Sequence, residues 1–103
     1  MTIQFNSDKT IQWDQRHNEH FSSVVKDSLD RFSDHVSRVE VHLSDENGAK
    51  SGADDIRCLI EVRIEGRKPI AVSDKADTME KAISGALDKS KAALKNAIEK
   101  MNN

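Results

Sequence analysis

Strict alternation of apolar and polar residues along two neighbouring stretches is the feature that most constrains the fold. Aliphatic residues occupy every second position over 38–44, and the same period returns over 56–64. This pattern is typical of strands that bury one face and expose the other. The intervening segment 45–52 is rich in Gly, Asn and Asp, which favour turns. We therefore predict an antiparallel hairpin with one solvated face.

Further strands are predicted on both sides of this hairpin. Alternation around Ile3 and Phe5 indicates a short strand, followed by a turn at 6–9. A tight turn at 65–68 precedes a strand that begins at Pro69, a position where a strand tolerates proline. The predicted sheet therefore has four strands.

Two amphipathic helices complete the predicted order β-α-β-β-β-α. Asp14 is a plausible N-cap for a helix over about 14–34, and Asp77 with Glu80 resembles a capping box before the second helix. The second helix has an apolar stripe made of Met79, Ile83, Ala86, Leu87, Leu94, Ala97, Ile98 and Met101. The expected fold is α+β, with both helices packed on one face of the four-stranded sheet.

Length and charge limit the function classes. At 103 residues the chain is expected to form a single domain, 1–103, with a modest core. The net charge of −2 argues against a generic nucleic-acid binder, but residues 75–101 hold six lysines and four acids. That segment is the better candidate for an anion-facing surface, although solvated helix charges explain the same pattern.

The sequence contains no membrane or secretion signal. No apolar run approaches the ~20 residues of a membrane-spanning helix. The first residues lack the basic and apolar blocks of a signal peptide, and the single cysteine excludes an internal disulfide. We therefore expect the chain to be cytoplasmic.

Catalytic, cofactor and metal motifs are missing from the sequence. Cys58 falls on the inward phase of its strand and is expected to be a buried apolar residue. His17 and His20 could share a helix face but lack the further ligands that a tetrahedral site needs. The acids at 54–55 fit a turn. We expect no enzymatic activity, no cofactor and no metal.

Lysines flank the apolar stripe of the last helix. At 100° per residue, Lys91 and Lys95 lie on one flank, and Lys89 and Lys100 lie on the other. Ammonium groups there could contact a phosphate backbone without reading sequence. Trp13 is the only aromatic residue expected to be exposed for base stacking. By physics alone, lysines that flank an amphipathic helix more often serve only solubility.

Several strings resemble the ribosome hibernation-promoting factor family, also called ribosome-associated inhibitors or sigma modulation proteins. They are SRVEVHLSDEN at 37–47, CLIEVRIEG at 58–66, PIAV at 69–72 and MEKAISGALDK at 79–89. The resemblance is detailed over about 36–101 and extends to 1–35 only in pattern. The chain resembles the short members, which lack the additional C-terminal dimerisation domain.

The resemblance implies a specific function. Members of the family bind the small ribosomal subunit at the mRNA and tRNA channel, inhibit translation and preserve idle ribosomes in stress or stationary phase. It implies rRNA contacts from basic residues on the helices and neighbouring loops; the candidates here are Lys89, Lys91, Lys95, Lys100, Lys75 and Arg38. The alternative is a divergent member that binds a non-ribosomal protein through its open sheet face.

Overall fold

A computed structural model of the chain describes residues 1–46 and 56–101, apart from the side chain of Met101. Its elements are β1 (Thr2–Ser7), α1 (Gln15–Leu29), a 3-10 turn (Asp30–Phe32), β2 (Val36–Asp45), β3 (Ile56–Ile64), β4 (Ile70–Ala76) and α2 (Met79–Met101). The predicted order β-α-β-β-β-α is confirmed. The predictions for most of the loop at 45–52, for the acids at 54–55 and for the Met101 side chain lie outside the described residues.

The four strands form one mixed sheet in the order β1-β2-β3-β4. β1 is parallel to β2, and α1 makes the crossover connection that a parallel pair requires. β2 and β3 are antiparallel, as are β3 and β4, which confirms the predicted hairpin. Val41 pairs with Phe5 on one side and Ile60 on the other, so the inward-facing rows of the strands are aligned.

Both helices cover the same face of the sheet, as predicted. α2 packs on β3 and β4, while α1 contacts β1 and α2. Neither helix is long and apolar enough, within the described ranges, to cross a membrane. The buried core between the layers includes Phe21, Val25, Leu29, Val39, Val41, Leu43, Cys58, Ile60, Val62, Ile83, Leu87 and Leu94. These side chains hold α2 in a fixed position on the sheet.

Three element boundaries differ from the predictions: the end of α1, the end of β1 and the start of β4, which is Ile70 and not Pro69. α1 ends at Leu29 instead of continuing to about 34, and a 3-10 turn follows that buries Phe32 before β2 begins. The helical spacing of Phe32 is also satisfied by this tighter turn. β1 continues to Ser7, where a turn was predicted, because Asn6 and Ser7 still pair with β2.

The predicted N-cap is confirmed for α1 but not for α2. Asp14 caps α1, accepting a hydrogen bond of 3.1 Å from the backbone N–H of His17, as predicted. The prediction for α2 was wrong: Thr78 Oγ1 accepts from the N–H of Lys81 at 3.1 Å, and Asp77 instead forms an ion pair with Lys81. Threonine and aspartate both favour N-caps, and the position of the first helical turn decides between them.

Candidate nucleic-acid interface

The residues predicted to contact RNA do not form one continuous surface. Arg38 and Lys75 belong to strands and point away from the helices, on the open face of the sheet. The remaining four are Lys89, Lys91, Lys95 and Lys100 on α2, which packs against the opposite face. One flat partner surface therefore cannot contact all the predicted residues.

Lys91 and Lys95 are one helical turn apart, on a flank of α2 that faces away from β4. Lys91 Nζ lies 3.4 Å from Asp88 Oδ1, in an exposed pair of the kind that contributes little to stability. Lys95 is exposed and makes no ion pair with any residue that the structure describes. Both ammonium groups can therefore meet an incoming phosphate without dismantling the fold.

Lys89 contributes to the packing of α2 on the edge strand. Its Nζ donates to the backbone oxygen of Ser73 at 2.9 Å and to Asp74 Oδ1 at 3.2 Å. Asp74 itself packs directly over Gly85, where a β-carbon would overlap its carboxylate. An RNA contact by Lys89 would have to share or replace these bonds.

Lys100 lies beside a groove between the end of α2 and the turn that joins β3 to β4. The groove has a volume of about 630 Å³. Arg67 and Lys68, from the turn, and Lys100, from the helix, are its charged lining residues. None of the three makes an ion pair with a described residue, and no acid lines the groove.

Arg67 and Lys68 are candidates that the sequence analysis did not single out. Their position predicts a turn, and two consecutive cations in a turn are also a usable signal for an anion-binding surface. The turn is fixed by Gly66 at φ 74° and by a hydrogen bond of 3.1 Å from the N–H of Arg67 to the oxygen of Ile64. A positive φ favours glycine, so the direction of the two cations is set by this residue.

The open sheet face carries charges of both signs, with two cations around each of two acids. Arg38 donates to Gln4 and lies 3.5 Å from Glu40, which Arg63 also approaches at 3.8 Å. Glu46 is shared by the other pair of cations, with Lys75 Nζ at 3.2 Å and Arg57 Nε at 3.7 Å. Arg38 and Lys75 are thus placed on a sign-mixed surface, which is a weaker attractor for phosphate than the unpaired lysines of α2.

His42 occupies the middle of the open face. Its Nδ1 lies 3.4 Å from Asn6 Nδ2, and its Nε2 lies 3.5 Å from Glu61 Oε1. The Nε2 atom is buried but lacks a hydrogen bond of good geometry, so the distance to Glu61 describes a close approach and not a hydrogen bond. We give it no part in the candidate interface.

Trp13 is not a free stacking platform. It is half-buried and stacks with Phe5, His17 and Phe21 at centroid distances of 5.0, 5.4 and 5.7 Å. The prediction that Trp13 is exposed was wrong, because the loop before α1 folds the indole against the edge of the core. Charge and shape, rather than base stacking on Trp13, are left as the basis for RNA contact.

The cysteine and the histidines of α1 are held in structural contacts. Cys58 is fully buried, and burial, together with the negative charge of Asp74, raises the pKa of its thiol to about 12. His17 accepts a hydrogen bond from the backbone of Asp14 as part of the α1 cap, and His20 packs edge-on against Phe21. Within 1–46 and 56–101, no group of His, Cys, Asp or Glu is arranged to hold a metal.

A family comparison identifies the group of proteins to which this architecture belongs. The family model described as sigma 54 modulation protein / S30EA ribosomal protein matches residues 9–102. This range includes every helix and strand except β1. The chain belongs to this S30EA family. The match spans both the unpaired lysines of α2 and the turn with Arg67 and Lys68.

Solved structures show that the fold of this S30EA protein is shared. The crystal structure of the Thermus thermophilus Protein Y N-terminal domain superposes with a TM-score of 0.72 at 21% identity, covering 93% of this chain and 98% of the other. A ribosomal subunit interface protein from Coxiella burnetii gives 0.72 at 16% identity, with 96% and 99% covered. No curated protein sequence matches the chain. At these identities the likeness shows the fold alone.

Proposed function

We propose that the chain binds the small ribosomal subunit at the mRNA and tRNA channel, inhibits translation and preserves idle ribosomes during stress or stationary phase in the bacterial cytoplasm. The observation that carries this proposal is the S30EA family match over residues 9–102. A structural neighbour named as a ribosomal subunit interface protein, with the same fold over nearly its whole length, supports it.

The charge distribution is compatible with an RNA partner despite the net charge of −2. Cations of the open sheet face are paired with acids, whereas Lys95 and Lys100 are unpaired among the described residues. Local potential, rather than net charge, governs the approach of a polyanion. We therefore place the first rRNA contacts on the second half of α2.

The proposed mechanism is steric and requires no chemical step. A sheet with two packed helices presents a fixed surface, so binding would fill a channel without the entropy loss of ordering a flexible chain. Flexible lysines would contact phosphates, which position a protein without reading base sequence. mRNA and tRNA would then be excluded because the same space is occupied.

The predicted rRNA contacts differ in the ion pairs and hydrogen bonds that each cation would have to break in order to bind phosphate. Lys95 and Lys100 are free to bind phosphate, and Lys91 needs only to leave its exposed contact with Asp88. Lys89 is held by Ser73 and Asp74, while Lys75 and Arg38 are paired on the open sheet face. We propose Lys91, Lys95 and Lys100 as the main rRNA contacts and the other three as secondary.

A competition assay on purified small subunits tests the proposal. We expect the protein to displace a bound labelled mRNA and to inhibit translation in a cell-free system in proportion to occupancy. The variant Lys91→Gln/Lys95→Gln should weaken binding and reduce the dependence of log K on log salt by about 1.5, because about 0.7–0.9 is lost per phosphate contact.

The control for that variant is Lys9→Gln/Lys26→Gln, which removes the same charge from exposed positions outside α2. It should retain the slope and the affinity of the wild type. Binding to small subunits without displacement of mRNA would contradict the proposed site. Failure to bind them at all would favour the alternative, a family member with a non-ribosomal protein partner.

A further inference from the structure

The groove beside Lys100 combines an apolar floor with a cationic rim. Ile64 and Ile70 from the sheet and Ala93 and Ala97 from α2 form the floor. Ile64 is buried and the other three are half-buried, so these side chains are fixed by the core. At about 630 Å³, the groove falls in the size range of about 300–1,000 Å³ that takes small organic groups.

The rim of the groove is charged with one sign only. Arg67, Lys68 and Lys100 line it without any acid from the part of the chain that the structure describes, whereas acids line two other concavities near the starts of α1 and α2. The three cations are exposed and are not neutralised by any described residue. Such a site attracts an anion with more than one negative charge.

An amide completes the set of polar groups. Asn96 is on the exposed side of α2 and lines the same groove. Its side chain carries both a donor and an acceptor, which can pair with the edge of a base or with a ribose hydroxyl. Cations for phosphate, an aliphatic floor for the face of a base and an amide for its edge are the requirements of a nucleotide site.

We infer that this groove, defined by Arg67, Lys68, Lys100 and Asn96 over the floor of Ile64, Ile70, Ala93 and Ala97, binds an unpaired nucleotide of single-stranded RNA with its flanking phosphates. The inference rests on the proposed function and extends it, because it adds a subsite between the β3–β4 turn and the end of α2. Lys91 and Lys95 lie on the opposite flank of α2, so an RNA that contacts both them and the groove would have to cross the helix.

The test uses a short oligouridylate and the full chain, without ribosomes. NMR titration should shift the methyl signals of Ile64, Ile70, Ala93 and Ala97 and the side-chain amide of Asn96. The variant Arg67→Gln/Lys68→Gln/Lys100→Gln should lose these shifts and reduce the slope of log K against log salt by about 2, because about 0.7 is lost per single-strand phosphate contact.

Two controls separate the groove from general charge effects. Lys9→Gln/Lys26→Gln/Lys81→Gln removes the same charge away from the groove and should retain both the methyl shifts and the slope. Ala93→Leu fills the floor without altering charge and should weaken oligouridylate binding while the salt slope stays unchanged. Far-UV circular dichroism checks that each variant is folded.

Four results would overturn the inference. Shifts confined to other surfaces, or a triple variant with the wild-type slope, would remove the groove as an RNA site. An oligoglutamate peptide that shifts the same methyl signals at lower concentration would assign the groove to acidic protein segments. If the wild-type chain binds small ribosomal subunits but oligouridylate does not shift its groove signals, the groove inference falls and the proposed function stands.

Discussion

Gly85 sets how closely α2 approaches the edge strand of the sheet. The Asp74 carboxylate occupies the space where a β-carbon would lie, and Lys89 reaches across it to the strand. Lys89 thereby fastens the middle of α2 to β4. A lysine that the sequence marks only as a helix-flank cation is thus also a structural residue.

Replacing Gly85 tests this contact. In an exposed helix, Gly→Ala stabilises by about 1 kcal/mol because alanine has the higher helix propensity. Here Gly85→Ala should stabilise by clearly less than that, since its β-carbon displaces Asp74 from Lys89, a partly exposed pair worth up to about 1 kcal/mol. In an Asp74→Ala background the obstruction is gone, and Gly85→Ala should stabilise by about 1 kcal/mol. Urea unfolding of the four proteins measures both effects; equal changes in the two backgrounds would contradict the contact.

Cys58 gives a second prediction at this scale. Its pKa is raised to about 12, chiefly by burial and further by Asp74, from an ordinary value of 9.0. Because the thiolate is the reactive form, the folded protein should react slowly with a disulfide reagent even near pH 9.0. Unfolding in urea should release the full reactivity, as followed by absorbance. Fast stoichiometric labelling of the folded protein would show that the thiol is accessible.

At the residue scale, the sequence predicts on which face of a helix a side chain lies better than it predicts which residue that side chain contacts. Angular spacing correctly placed Lys89 and Lys100 on one flank of α2, but it could not reveal that Asp74 holds Lys89. The partner comes from a strand that is distant along the chain. Arg67 and Lys68 were missed for the same reason, since their groove forms only when a turn meets the end of a helix.

At the scale of single elements, the caps explain where the helices begin. The side chain of Thr78 accepts the N–H of Lys81, while Asp77 makes an exposed ion pair with the same lysine. Thr78→Ala should therefore lower the free energy of unfolding by about 1 kcal/mol. Asp77→Ala should lower it by only about 0.3–0.5 kcal/mol, as for other exposed helix pairs. Chemical unfolding of both variants shows which one loses more free energy of unfolding. A larger loss in Asp77→Ala would indicate that Asp77 is the N-cap, as the sequence predicts.

The elements that were predicted well are those with long, clear periodicity. Alternation over β2 and β3 fixed their inward faces, which the burial of Val39, Val41, Ile60 and Val62 confirms. The end of α1 was predicted poorly because Phe32 fits either a continued helix or a 3-10 turn. Trp13 was misjudged because its aromatic contacts come from β1 and α1, which sequence spacing does not bring together.

At the scale of the whole molecule, the cations differ in whether an acid lies beside them. The open sheet face binds its own charges in networks around Glu40 and Glu46. Four of the described cations without an ion pair lie on the second half of α2 or in the β3–β4 turn: Lys95 is on one flank of the helix, and Lys100, with Arg67 and Lys68 of the turn, is on the other. These four cations give a chain of net charge −2 a local positive surface at the second half of α2 and the β3–β4 turn.

Co-sedimentation of the purified protein with small ribosomal subunits, at low and at raised salt, tests the central claim most directly. Binding through phosphate contacts predicts that the protein pellets with the subunits at low salt and is released as salt increases, because each contact adds to the salt dependence. A protein that stays in the supernatant with small subunits at low salt would contradict ribosome binding and leave only the S30EA fold established.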